Sequence, residues 1–292
     1  VASYFSGVAI RKDDFQKGDK LDLDLTLSRN SKRSESFWAT GSLSFAPIKI
    51  APFAALIPAS SGMKDLRGVV DGKVMFLFKP NENMSWKANL SGRGVSGKLD
   101  LDSDGRWGAL NLESIQLGTD GWYSLRRESA RISRLDAKFP FGSVKLLKEA
   151  KWNVSGGDEI AASWDISDLA AVSEMGRTLG VDALRMAAPE GASKGSITLM
   201  RNRRKSKEFA VAGSASADLK RVHFEDYPNL EVSGAASVKM SDKDMVVSVP
   251  RLIVRERGRD KAPSAMELRK FSVSLSQKNL MKGRVVSQKA TA

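Results

Sequence analysis

The segment Leu21-Asp22-Leu23-Asp24-Leu25-Thr26-Leu27-Ser28 alternates leucine with a polar residue from end to end. A β-strand sends successive side chains to opposite faces, so this spacing builds a strand with one leucine face and one polar face. A helix would scatter the same leucines around its circumference. The pattern returns along the chain. Leu43 and Phe45 alternate with serines, Leu99 and Leu101 with Lys98, Asp100 and Asp102, and Leu110 and Leu112 with Asn111 and Glu113. Ile115 and Leu117 alternate with Ser114 and Gln116, and Phe271, Val273 and Leu275 with serines. Asp71-Gly72, Asp104-Gly105, Asp120-Gly121 and Gly156-Gly157 are expected as turns between such strands.

No strand–helix–strand alternation is present, which argues against a parallel α/β sheet. The expected fold is all-β with minor short helices: a long, twisted antiparallel sheet, built from repeated β units and curled into an open groove. The same alternation is equally served by a closed β-sandwich, in which the apolar face packs on a second sheet.

Two stretches read as helix. Ala51–Ser61 is rich in Ala, Leu and Phe, with a short apolar helix expected over 51–59 between Pro52 and Pro58. The second runs over Ser167–Leu179, with Ser167 or Asp168 as its cap and Gly180 at its end. Leu169, Val172, Met175 and Leu179 form an apolar stripe there, expected to plug the end of a sheet. The predicted organisation is a first β unit over 1–165, a second over 166–276 opened by the helix at 167–179, and a fraying tail over 277–292. The segments starting at Gly92 and Val222 share a rhythm, each with a glycine (Gly97, Gly234) placed just before a strand.

Composition narrows the chemistry. Zero cysteines exclude disulfides, thiolate catalysis and iron–sulfur ligation, and a single histidine, His223, leaves zinc and copper without their preferred ligands. Asp100, Asp102 and Asp104 resemble the start of a calcium loop, but the twelfth position, which needs a glutamate, is Asn111. Neither GRGVSG at 92–97 nor GVVDG at 68–72 opens a helix after a strand, and no P-loop, GxSxG or HExxH is present. The reading is therefore of a binding or scaffold module, not an enzyme, with no cofactor and no metal.

The net charge of +13 attracts polyanions: nucleic acid, anionic lipid headgroups or lipopolysaccharide. Nucleic acid ranks third, because aromatics are not interleaved with Lys and Arg and no helix carries a dense basic face. The run Arg201–Lys207 holds Arg201, Arg203, Arg204, Lys205 and Lys207, and is the candidate contact with an anionic surface. A second charged loop is expected over Arg255–Lys261. No stretch approaches the roughly 20 apolar residues of a spanning helix. The sequence opens on Val1 rather than Met, as a processed or excised piece would.

The stretch PIKIAPFAALIPASSGMKDLRGVVDGKVMFLF, Pro47 to Phe78, resembles repeat units of the bacterial AsmA-like family. In these units a short apolar helix or turn precedes a strand that starts leucine–x–Gly–x–x–x–Gly; Leu66, Gly68 and Gly72 take those places. WDISDLAAVSEMGRTLGVDAL, followed by APEGASKGSITL, resembles the junction to a second unit, and the strand rhythm over 85–140 and 209–276 is similar too. The resemblance covers most of the chain. It implies a bridge-like lipid transfer protein whose sheets curl into an apolar groove for acyl chains and serve phospholipid transport and envelope assembly. It further implies the periplasm of a Gram-negative bacterium and an inner-membrane anchor in a segment outside this sequence. The implied partners are phospholipid or another acyl lipid, a membrane surface, and inner- or outer-membrane envelope proteins. The family has no catalytic residues to carry over. The groove candidates are the alternating apolar sets: Leu21, Leu23, Leu25, Leu27, Leu99, Leu101, Leu110, Leu112, Ile115, Leu117, Phe271, Val273 and Leu275.

Overall fold

The computed structural model of the chain describes residues 21–29, 37–51, 62–79, 82–100, 107–153, 157–179, 181, 186–202, 209–241, 244–256, 266–276 and 287–291. Among these residues the strands belong to one antiparallel sheet, ordered as in the chain apart from one short strand, residues 150–153, that lies off this order. The fold is therefore all-β, as the period-two alternation predicts.

Contacts divide the chain into two compact units. The first holds β1 (Leu21–Arg29), β2 (Phe37–Lys49), β3 (Met63–Lys79), β4 (Asn83–Leu99), β5 (Gly108–Ser124) and β6 (Ser129–Phe139). The second holds β7 (Gly142–Leu146), β8 (Ala150–Asn153), β9 (Gly157–Ile166), α1 (Leu169–Thr178, up to Arg177), β10 (Ala187–Asn202), β11 (Ala210–Phe224), β12 (Leu230–Met240), β13 (Asp244–Glu256), β14 (Met266–Ser276) and β15 (Ser287–Thr291).

The division falls between Pro140 and Phe141, not near residue 165. Its cause is strand pairing. Ile166 and Asp165 of β9 sit opposite Ser193 and Lys194 of β10, and β7 pairs with β9 from Gly142 to Leu146. Residues 142–166 are thereby tied to the strand that follows the helix, so α1 interrupts the second unit rather than opening it. The tail expected to fray contains β15, which pairs with β14.

Three strands, β3, β4 and β5, are 17 residues long, well beyond the usual strand length. Two predicted Asp-Gly turns lie inside them. Asp71-Gly72 is in the middle of β3 and Asp120-Gly121 in the middle of β5. Gly72 has φ +144°, and a Cβ there would come 2.9 Å from Leu90 Cα, so the residue serves a close backbone approach between strands and not a chain reversal. At Asp120-Gly121 the pairing with β6 shifts register, a bulge in place of the turn. Gly97 and Gly234 likewise lie within β4 and β12 instead of ahead of a strand. Gly157 opens β9, whereas Asp104-Gly105 lies outside the described residues.

Helix α1 forms where the sequence predicts it. The Asp168 carboxylate accepts hydrogen bonds from the Ala170 and Ala171 amides at 2.9 and 3.2 Å, which makes Asp168 the N-cap. Ser167 turns away and donates to the Phe141 carbonyl at 3.2 Å. The packing face differs from the expected stripe. The buried residues are Ser173 and Gly176, while Leu169, Val172, Met175 and Leu179 are half-buried. Residues 52–61, which carry the other expected helix, and Gly180 lie outside the described residues. Among the described residues no helix is long and apolar enough to cross a membrane.

Candidate functional site

In an antiparallel sheet, residues directly opposite each other point to the same side, so the register defines the faces. In the first unit one row reads Leu25–Gly41–Phe76–Trp86–Gly121–Ile132 across β1 to β6. The next rows read Leu23–Leu43–Val74–Ala88–Thr119–Leu135 and Leu21–Phe45–Gly72–Leu90–Leu117–Ala137. This is one apolar face, and its large side chains alternate with small ones. The opposite face carries Asp24–Ser42–Met75–Lys87–Asp120–Arg134 in its corresponding row.

Leu110 and Leu112 differ from Ile115 and Leu117 in their position parity, so strict alternation would put the two pairs on opposite faces. The strand resolves this with a local irregularity at Glu113 and Ser114, both exposed, opposite Gly94, whose φ is +57°. A Cβ on Gly92 would meet Val95 Cγ2 at 2.8 Å and Ile115 Cγ2 at 2.9 Å. Val95 is the partner of Leu112, so Leu112 and Ile115 share a face. Leu99 lies opposite Gly108, which has the parity of Leu110 and Leu112. Of the first unit's groove candidates, Leu23, Leu25, Leu27, Leu99, Leu110, Leu112, Ile115 and Leu117 thus fall on one face, and the Leu21 side chain and Leu101 lie outside what the structure describes.

Their burial is graded. Leu112 is 7% exposed, Leu110, Ile115 and Leu117 are half-buried, and Leu23, Leu25 and Leu27 are 62%, 48% and 69% exposed. Among the described residues no large side chain is fully buried, and half of the buried apolar positions are alanines, the others being Ile, Leu and Val. The apolar face therefore remains partly open to solvent.

The second unit repeats the arrangement. Val144–Trp164–Gly195–Ala215–Val238–Val247–Val273 form one row, with Ala162–Ile197–Gly213–Met240–Met245–Leu275 beside it. Phe271 pairs with Val249 on the same side as Val273, so Phe271, Val273 and Leu275 share this face. Phe271 and Val273 are half-buried and Leu275 is 9% exposed. The other face holds Lys194–Ser216–Ser237–Ser248–Ser272.

One local arrangement occurs in both units. Trp86 lies across Gly121 of the neighbouring strand, where a Cβ would come 2.5 Å from its ring, and its indole N–H points to Thr119 Oγ1 at 3.4 Å. Trp164 lies across Gly195, and its N–H donates to Ser193 Oγ at 3.2 Å. Both tryptophans follow a serine, and both glycines come two residues after the accepting hydroxyl. The signal readable in the sequence was Ser-Trp paired with Thr/Ser-x-Gly. Period-two reading passes over it because it weighs only leucine-like residues.

The basic run is placed only in part. Arg203, Arg204, Lys205 and Lys207 lie outside the described residues. Arg201, at the end of β10, is committed inside the protein. Its Nε donates to Asp158 Oδ2 at 2.8 Å, and its guanidinium stands 4.3 Å from the Phe209 ring centre. The Asp158 side chain is 0% exposed and that of Arg201 18%, so this arginine is not an open anion contact. Of the second charged loop, Arg255 belongs to β13 and 257–261 lie outside the described residues.

His223 faces Glu190 on the adjacent strand, Nε2 to Oε1 at 3.4 Å, an inter-strand pair. Among the described residues no group of His, Cys, Asp and Glu is arranged to hold a metal ion. The polar face of the first unit has a shallow recess of about 630 Å³ lined by Asp71, Asn89, Ser91, Arg134 and Asp136 among others. Several of its polar groups pair with one another: Ser91 with Asp71, and Arg134 with Asn89 and with Asp136. No protein-family profile, curated protein or solved structure matches the chain.

Proposed function

We propose that the chain binds acyl lipid on the apolar faces of its two units, as a non-enzymatic lipid-binding or lipid-conducting segment of a bacterial envelope protein. One observation carries the reading. Apolar residues run in unbroken rows across successive strands, and they stay half-exposed. Contiguous exposed apolar surface marks an interaction site in a protein that is otherwise folded. An acyl chain laid on such a row gains about 0.8 kcal/mol for each CH₂ removed from water. The net charge of +13 favours a lipid with an anionic head. The resemblance to the AsmA-like family adds phospholipid as the ligand, the periplasm as the location and envelope proteins as partners.

The test is native mass spectrometry of the protein extracted from bacterial membranes. Retained phospholipid, lost when half-exposed row positions such as Leu117 and Val273 are made charged, is the expected result. A lipid-free protein whose apolar faces are protected from solvent by self-packing would replace this reading with a structural β module of the envelope.

A further inference from the structure

Trp86 and Trp164 hold equivalent places in the two units. Each indole covers a glycine on the next strand and directs its N–H to a hydroxyl two residues before that glycine. With the N–H directed inward, the ring turns only carbon toward whatever lies on the apolar face. Both rings are half-exposed. A flat aromatic surface with its polar handle already bound suits a ligand without hydrogen-bonding groups, namely a hydrocarbon chain.

We infer that Trp86 and Trp164 are the two contact points at which an anionic acyl lipid rests on the chain, one lipid per unit; this builds on the lipid reading above and adds residues and a stoichiometry to it. Charge complementarity selects the anionic class. The chain carries an excess of +13, and an anionic head offsets part of it.

Covering a glycine with an aromatic ring also stabilises a sheet without any ligand. The experiment therefore reads proximity. Vesicles of phosphatidylglycerol with brominated acyl chains are added to the full chain and to W86F, W164F and W122F, and tryptophan quenching is followed. Trp122 is the control because it pairs with Ser85 and Arg131 on the polar face. W86F and W164F are each expected to remove part of the quenched amplitude, the double variant all of it, and W122F none. Unchanged quenching in W86F and W164F, with lipid still retained in mass spectrometry, overturns the inference and leaves the lipid reading standing. Absence of both quenching and retained lipid overturns the two together. Equal quenching by brominated phosphatidylcholine overturns the anionic preference. A concentration-dependent blue shift of the lipid-free protein assigns the face to a second copy of the chain and overturns the inference. If W86F does not fold, Thr119→Val releases the indole N–H while keeping the ring. It must then shift the emission and accessibility of the same quenched component, and no shift overturns the assignment.

Discussion

Replacing Arg201 by methionine isolates the energetics of the one arginine of the basic run whose partners are known. Exposed ion pairs contribute about 0–1 kcal/mol, but removing one partner of a buried pair costs about 3–5 kcal/mol, because the remaining charge stays away from water. With side-chain exposures of 18% for Arg201 and 0% for Asp158, this pair belongs to the second case. In Arg201→Met, Asp158 retains the Asn153 amide at 3.2 Å but loses the guanidinium. The lost contact with the Phe209 ring, at 4.3 Å, adds about 0.5–1 kcal/mol. The expected loss is therefore about 4 kcal/mol, a large share of the roughly 5–15 kcal/mol that stabilises a folded domain. Urea unfolding followed by tryptophan emission measures it. The double variant Asp158→Asn/Arg201→Met should recover most of the loss, since neither charge is left buried alone. Arg221→Met serves as the control, because the Arg221–Glu231 pair is 45% and 18% exposed and should change stability by less than about 1 kcal/mol. A cost for Arg201→Met no greater than the control's, or a double variant that merely sums its two singles, would refute the reasoning.

Two further perturbations test the burial gradient and the charge network. Leu112→Arg should unfold the first unit or cost more than about 3 kcal/mol, since Leu112 is 7% exposed, whereas Leu117→Arg on the same half-buried face should fold and lose lipid crosslinking; equal thermal stability of the two variants would contradict the gradient. A hydrogen bond from Lys148, aided by the charges of Lys148 and Lys151, holds the Glu159 carboxyl below its ordinary value of 4.5. A depressed folded value means that this stabilisation is complete above about pH 4.5 and is lost as pH falls through the folded value; Glu159→Gln should flatten that part of the urea-midpoint profile, and an unchanged slope would show that the pair contributes nothing.

The sequence made the strands legible because leucine alternation is a local property, and it made α1 legible because Asp168 and the helical spacing are local too. The strand ends were harder. Asp71-Gly72 and Asp120-Gly121 have the composition of turns, yet each glycine answers a neighbour on another strand: the backbone at Leu90 in one case and the Trp86 ring in the other. Such neighbours are remote in sequence, so a local reading assigns the glycine to a reversal. The join of Leu110/Leu112 to Ile115/Leu117 reads as a strand break for the same reason, because only the partner strand, with Gly94 at φ +57°, reveals that the pairing continues through it. Arg201 stood out as part of a charge run. Its commitment to Asp158 depends on β9 lying beside β10, which charge counting does not contain.

The strict neighbour-to-neighbour order of the strands also governs how the protein assembles. Among the described residues of the first unit, each strand from β2 to β5 pairs only with the strand before it and the strand after it. In this unit each strand is added beside its neighbour in sequence, so each addition costs little closure entropy. Stability in such a ladder is close to a sum of nearest-neighbour terms, as in repeat proteins. β1, paired on one side among the described residues and with Leu23, Leu25 and Leu27 exposed, is the first rung to open, and the long β3–β5 ladder is the last. Each rung exposes a fresh edge that templates the next, so growth can begin at the long strands and travel outward.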